Sequence, residues 1–549
     1  MPTERTALLM KHKDASIFGL HSGFLDSCDR FPNRMALEVD GAAHSYAGLR
    51  DRAAAIAATL QAHLPYGPGN LVGILANRSL PVYSGILGAL MGGFAIVPLN
   101  PVLPVERTRQ MIGLSGLRAI VVDAKGESQL DAILANADRP LTVLLPHTAS
   151  TEALARRWPA HRFLGSDRIA APSGWSPASA GPDSLACLFF TSGSTGVPKA
   201  VGVLHRNALR FVAMSVDRYR ECGINETDRF SQFYDITFDS SMFDLYVSWA
   251  LGACLCCPSA SDWVNANKYV LQKELTVIDI VPSAGYAMNR ANGWRPGRFP
   301  GLRLCRFGGE ALTAELAAAL AAAAPNAIIE NVYGPTECTV DACYYRWDRV
   351  VSMGESEYGM VPIGFAGPQV ETLIVDDQML EVQEGEQGEL VIGGPQVTPG
   401  YIYDPERTRA AFVEMPGHSG IYYRTGDLVR RPHPGQPIIF LGRSDHQIKI
   451  AGVRIELGEV EKAMRDAADA PVAVALGWPL TSNGAAGIVG FVAACGADAR
   501  TIRERLKQTL PGVMVPQEIR MLDDFPLNAN GKVDRKALLE VLKASTAAG

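Results

Sequence analysis

The sequence predicts an α/β fold in a large N-terminal body, then a β-rich region and a small α+β unit. Three observations predict it. Short apolar runs alternate with helical patterns along the first part of the chain, the rhythm of parallel sheets covered on both faces. After about Asp348 the runs become short strands between Gly, Pro and Asp clusters. From Ala451 onward helices and strands mix again over about a hundred residues, a normal size for one domain.

The elements follow in order. Residues 71–75 (LVGIL) read as a strand. Residues 79–105 carry no charge and are long enough to span a bilayer. Pro81, Gly92, Gly93, Pro98, Pro101 and Pro104 interrupt them, so they read as a buried helix at 82–91, a glycine turn and a strand at 94–98. Residues 107–114 are helical and 119–122 form a strand. Further strands are expected at 230–232, 277–281 and 302–307. Residues 311–324 are an alanine-rich helix of high propensity, stopped by Pro325. In the β-rich region strands fall at 373–375, 389–392, 438–441 and 448–450. Last come a helix at 456–468, strands at 473–476 and 488–493, and a helix at 500–509. Residues 544–549 read as a frayed tail.

Composition excludes several classes. In 549 residues, 47% are hydrophobic and 20% charged, so a disordered or coiled-coil protein is ruled out. Lys plus Arg number 51 against 57 acids, a net charge of −6 without the basic cluster a nucleic-acid surface needs. Ten cysteines are too sparse for a disulfide framework, and no paired CxxC motifs suggest zinc. Cys254, Cys256 and Cys257, in LGACLCCPS, read as buried reduced thiols. No secretory signal opens the chain, and the expectation is a cytoplasmic enzyme with no nucleic-acid or membrane partner.

The sharpest local signal is LACLFFTSGSTGVPKAV, residues 185–201. An apolar strand runs into Thr191, Ser192, Gly193, Ser194, Thr195 and Gly196, then Pro198 and Lys199. Glycines let backbone N–H groups approach a polyphosphate, hydroxyls add donors and the lysine adds charge. It is not a Walker A loop, because Ala200 follows the lysine. More motifs follow in order: ITFDSSMFD (236–244), NVYGPTE (331–337), GELVIGG (388–394), YRTGDL (423–428), GRSDHQIKIAGVRIELGEVE (442–461) and NGKVDR (530–535).

This series, with HSYAGLRDRAAAIAATL (44–60) and LGALMGGFAIVPLNP (87–101), resembles the adenylate-forming superfamily along nearly the whole chain. That superfamily includes acyl-CoA synthetases, luciferases and the adenylation domains of nonribosomal peptide synthetases. Two departures stand out: Ala200 for the usual glycine, and Thr398-Pro399-Gly400-Tyr401 for the usual Ala-Arg-Gly-Tyr. The resemblance implies an N-terminal domain, 1–442, with two α/β sheet subdomains plus a β-rich subdomain, and a small mobile C-terminal domain, 443–549. It implies ATP and Mg²⁺ as cofactors and a two-step reaction. A carboxylate attacks the α-phosphorus of ATP, and a thiol then takes the acyl group.

By motif match, Thr191 to Gly196 and Lys199 would hold the β- and γ-phosphates, Glu337 would bind Mg²⁺ and Thr336 the α-phosphate. Asn331 and Tyr333 would hold the adenine. Asp427 would accept the ribose hydroxyls, with Arg443 beside it. Lys532 matches the lysine that reaches the acyl carboxylate during adenylation; its bland alternative is an exposed Asn-Gly turn residue. Asp445 falls at the family hinge, where rotation would withdraw Lys532 and present the loop from Lys449 to Arg454. Gly452 would then line the thiol channel.

Phe238-Asp239 resembles the pair found in amino-acid-activating members, where the aspartate binds the α-ammonium. The bland alternative is a helix cap. The pocket positions carried over are Asp239, Ser240, Phe243, Asp279, Cys305, Phe307, Val332, Val340 and Asp341. Buried unpaired carboxylates are costly, so Asp279 and Asp341 ask for a cation and point to a basic or short diamino acid. The bland alternative for Asp279 is a strand end bonding nearby backbone. Rivals are a coenzyme A ligase for a small carboxylic acid, a non-catalytic binding protein on the same fold, and, disfavoured, a P-loop kinase. With so little chain after Lys532, the product is expected to pass to a phosphopantetheinylated carrier protein in trans.

Overall fold

The computed structural model describes residues 18–65, 70–170, 174–193, 197–291, 293–444, 447–481, 484–493, 496–526 and 533–547. Its secondary structure is α/β, as the alternation predicts.

A seven-stranded sheet runs in the order Arg162–Gly165, Thr142–Leu145, Ala119–Val122, Leu71–Leu75, Ala95–Leu99, Leu185–Thr191, Lys199–Leu204. All neighbours are parallel except the last pair. The strands Leu71–Leu75, Ala95–Leu99 and Ala119–Val122 are buried at every residue, which is why they read as unbroken apolar runs. The uncharged 79–105 stretch resolves as expected. The helix Leu80–Met91 begins with proline in its first turn, and the left-handed Gly93 turns the chain into the strand Ala95–Leu99. Among the described residues no helix is long and apolar enough to cross a membrane. Gly88 lets this helix touch the helix Tyr46–His63: a Cβ there would lie 2.8 Å from both the Ala53 carbonyl and Ile56.

A nine-stranded sheet holds the parallel strands Ile328–Tyr333, Leu304–Phe307, Val277–Ile280, Arg229–Ser231, Cys254–Cys256 and Met35–Val39 side by side, with antiparallel strands at both edges. Cys254, Cys256 and Cys257 are buried free thiols. The β-rich region is an antiparallel sheet around the long strand Ile421–Arg430, whose neighbour Ile439–Arg443 extends through Arg443.

The last unit packs the hairpin of Gln447–Ile450 and Val453–Glu456 with a three-stranded sheet and the helices Leu457–Ala468, Ala499–Thr509 and Arg535–Ala547. The expected helix at 500–509 and strand at 488–493 are both there. The hairpin lies against the N-terminal body, in the cleft described next.

Candidate active site

The glycine-rich loop joins two antiparallel strands. Strands Leu185–Thr191 and Lys199–Leu204 pair antiparallel, and their register sets Thr191 opposite Lys199. The two residues flank whatever the loop holds, because residues directly opposite are close neighbours. Ser194, Thr195 and Gly196 lie outside the described residues, as do Asp445 and Lys532.

A cavity of about 380 Å³ opens between this loop, the ends of the nine-stranded sheet and the C-terminal unit. Carboxyl ends of parallel strands are where α/β proteins place ligands. Thr191, Ser192, Tyr333, Thr336, Asp427, Arg443 and Gly452 line it, so the structure gathers these seven motif residues at one cleft. Phe238, Asp239, Ser240, Asp279, Val332, Val340 and Asp341 line the same cavity.

Asn331 does not line it: its side-chain amide donates to the Pro362 carbonyl at 2.8 Å, so it supports the sheet edge. Tyr333 donates to Asp427, and Arg443 bonds the other oxygen of that carboxylate. Glu337 is fully buried, accepting from the Tyr401 hydroxyl at 2.8 Å and from Arg454 at 2.8 Å. Burial alone would raise its carboxyl, but Arg454, Lys199 and Tyr401 hold it below the usual range. Among the described residues no group of three His, Cys, Asp or Glu could hold a metal. Glu337 still fits Mg²⁺, which is commonly bound through one or two carboxylates plus substrate phosphates. Arg454 must first leave it.

The C-terminal hairpin and the helix that follows it supply partners for these residues. Lys199 Nζ pairs with Glu456 Oε1 at 2.7 Å. The Gly193 amide donates to Glu459 Oε2 at 3.0 Å, and Glu459 also pairs with Arg107 in a buried ion pair. Ser192 Oγ donates to the Arg454 carbonyl at 2.6 Å. Carboxylates and a guanidinium thus sit on the loop and on Glu337. Gly452 has φ +76° and donates its amide to Glu310 Oε1 at 2.7 Å. Any Cβ there would collide with Val281. Burial pushes the Lys449 ammonium below its ordinary value, with Arg454 and Arg443 adding to the effect and Asp427 opposing it.

Asp239 faces the cavity, with the Thr336 hydroxyl and the Ser240 amide as partners; burial pushes its carboxyl up to about 6. The acidic pair reads differently from the sequence expectation. Asp279 and Asp341 are not unpaired. Arg306, 1% exposed, bonds Asp341 and lies 3.5 Å from Asp279. The parallel register sets Asp279 beside Arg306 on one face of the sheet. Successive side chains alternate faces, so Cys305 and Phe307 turn the other way, into the core around Trp294 and Leu316. Both are corrections to the expected pocket. Phe243 is buried under the Arg306 guanidinium, 3.6 Å from it, and does not wall the cavity directly. Asp244 lies close by; burial and Asp279 push its carboxyl up, against the pull of Arg306. Arg306 was legible only as the strand residue between two assigned positions.

A multi-sheet α/β body whose glycine-rich hairpin faces a small α+β unit is the architecture of an adenylate-forming enzyme. A family model described as AMP-binding enzyme matches residues 24–402, and the chain belongs to that family. Tyrocidine synthase 3 of Brevibacillus parabrevis is 32% identical over 94% of this chain and 7% of its own length. The chain spans less than half the length of the curated relatives it matches. The adenylation domain AlmE of Vibrio cholerae, solved in complex with glycyl-adenosine-5'-phosphate, is 29% identical with a TM-score of 0.85 over 96% of this chain and 98% of that one. The fused NpsA–ThdA adenylation–PCP di-domain from Klebsiella oxytoca shares the fold at 23% identity, with a TM-score of 0.75 over 92% of this chain and 94% of that one.

Proposed function

We propose that this chain activates an amino acid with ATP and hands it to the phosphopantetheine thiol of a carrier protein acting in trans. The observation that carries the reading is one cleft lined by Thr191, Thr336, Asp427 and Asp239, with Lys199 opposite Thr191 and Glu337 held by Arg454 at its wall. In the first step a substrate carboxylate oxygen bonds the α-phosphorus and the bond to the β-phosphate oxygen breaks, releasing pyrophosphate. In the second a thiol sulfur bonds the carbonyl carbon and AMP leaves.

Two anions must meet in the first step, so fixed positive charge is the main requirement. Lys199 meets the β- and γ-phosphates with the loop amides. Asp427 accepts from the ribose hydroxyls, with Arg443 beside it, and Tyr333 stacks against the base. Asp239 holds the α-ammonium. Lys532 joins from the C-terminal domain by motif alone. Mg²⁺, when bound, would be held by Glu337 and phosphate oxygens and would neutralise phosphate charge. The domains are proposed at 1–442 and 443–549, hinged at Asp445, with Gly452 beside the thiol's path. The dependence on ATP fits a cytoplasmic setting.

The test is amino-acid-dependent ATP–pyrophosphate exchange, followed by loading of a phosphopantetheinylated carrier protein and, separately, of coenzyme A. Lys199→Ala should lower exchange on the order of 10²-fold. Loading of coenzyme A in preference to any carrier would defeat the acceptor assignment. Absence of exchange with every amino acid would defeat the activation itself.

A further inference from the structure

Within that reading, the pocket beyond Asp239 carries information on the substrate side chain. Its floor is Arg306, held between Asp279 and Asp341 and laid flat on the Phe243 ring. Arg306 and Asp279 line the cavity, and each is 2% exposed or less. Their hydrogen-bonding capacity is only partly used. Nε of Arg306 and Oδ1 of Asp279 have no hydrogen-bond partner among the described residues, and Nη1 has only the Asp279 carboxylate, 3.5 Å away. A buried donor or acceptor left unpaired is costly. These atoms are closed off in the structure as it stands, so a side chain that reached them would find an unpaired N–H donor and an unpaired carboxylate acceptor.

Three kinds of side chain can be weighed against this inventory. An ammonium can donate to Asp279 but accepts nothing, so the Arg306 donors stay unpaired and a second cation is set beside the guanidinium. A carboxylate can accept from Arg306 but donates nothing to Asp279, and it would bring a third acid beside Asp279 and Asp341. A hydroxyl or carboxamide both accepts and donates. We propose that Arg306 makes this a pocket for an amino acid whose neutral side chain ends in a hydroxyl or a carboxamide, and that it is the residue excluding basic substrates. This replaces the diamino substrate that the two aspartates suggest when read without Arg306. It rests on the amino-acid activation proposed above.

The test is an exchange panel on the full chain with serine, threonine, asparagine, glutamine, alanine, aspartate, glutamate, 2,4-diaminobutyrate and ornithine. Serine, threonine, asparagine or glutamine should lead in kcat/KM by on the order of 10-fold or more over alanine and over the charged members. The hydroxyl and carboxamide arms separate the two sources of the same chemistry. Arg306→Met should then raise 2,4-diaminobutyrate or ornithine relative to the wild-type leader by at least about tenfold, chiefly through KM, because the two aspartates lose their internal cation. A wild-type panel led by alanine, an acid or a diamino acid overturns the inference and needs no folded variant. A folded Arg306→Met with unchanged ranking overturns it too. No exchange with any amino acid overturns instead the activation reading on which it rests.

Discussion

Asp239, proposed to hold the substrate ammonium, is the residue through which pH should act on substrate binding. Burial raises its carboxyl, the Thr336 hydroxyl draws it back, and the carboxylates of Asp341 and Glu337 push it up again, to about 6. Only the ionised form attracts an ammonium, and that form is lost as pH falls through the raised value. The KM for the amino acid should therefore rise as pH falls below about 6, approaching tenfold per unit. The KM for ATP should change less. Asp239→Asn should raise the amino-acid KM at neutral pH and flatten its pH profile; a profile that keeps its acidic limb in that variant would remove Asp239 from this role. Cys305 and Phe307 flank Arg306 on a strand of period two, so a one-residue difference in alignment exchanges the cavity face for the core face.

Among the elements, the hairpin of Gln447–Ile450 and Val453–Glu456 has the most specific demands. Its tip needs the left-handed Gly452, whose amide reaches Glu310 and whose missing side chain leaves room for Val281. An alanine there would take on about 1 kcal/mol of backbone strain besides the collision. Gly452→Ala should slow loading of a carrier protein at least about tenfold in single turnover while pyrophosphate exchange persists. Equal loss of both activities would place the glycine in the first step instead. The strands at 71–75 and 119–122 were legible to the residue because both faces are buried and every position is apolar. The π-helical turn at Phe243–Val247 carried no such mark. It holds Phe243 against Arg306, Tyr219 and Phe230, contacts made by distant parts of the chain.

At the scale of the whole molecule, the C-terminal unit docks by putting its own charges where nucleotide charges are proposed to go. Glu456 takes Lys199, Glu459 takes the Gly193 amide and Arg107, and Arg454 takes Glu337. Polyphosphate on the loop, as proposed, should therefore compete with this docking. Amide exchange in 447–456 should quicken when pyrophosphate with Mg²⁺ is added. Glu459→Gln should quicken it without ligand, since removing one partner of a buried ion pair costs about 3–5 kcal/mol. Unchanged protection in both experiments would show that the docking does not depend on these pairs.

The sequence by itself determined the α/β class, the order of the motifs and the residue types of the glycine-rich loop, because apolar period, glycine placement and residue type are local properties. The tertiary structure decided which charges meet. Arg306 joins Asp341 across 35 positions, and Arg107 joins Glu459 across 352. Such pairings follow from strand register and from how one unit seats on another, and neither is written in any short stretch of chain. That is why two aspartates that suggested a site for a cation turned out to hold an arginine of their own.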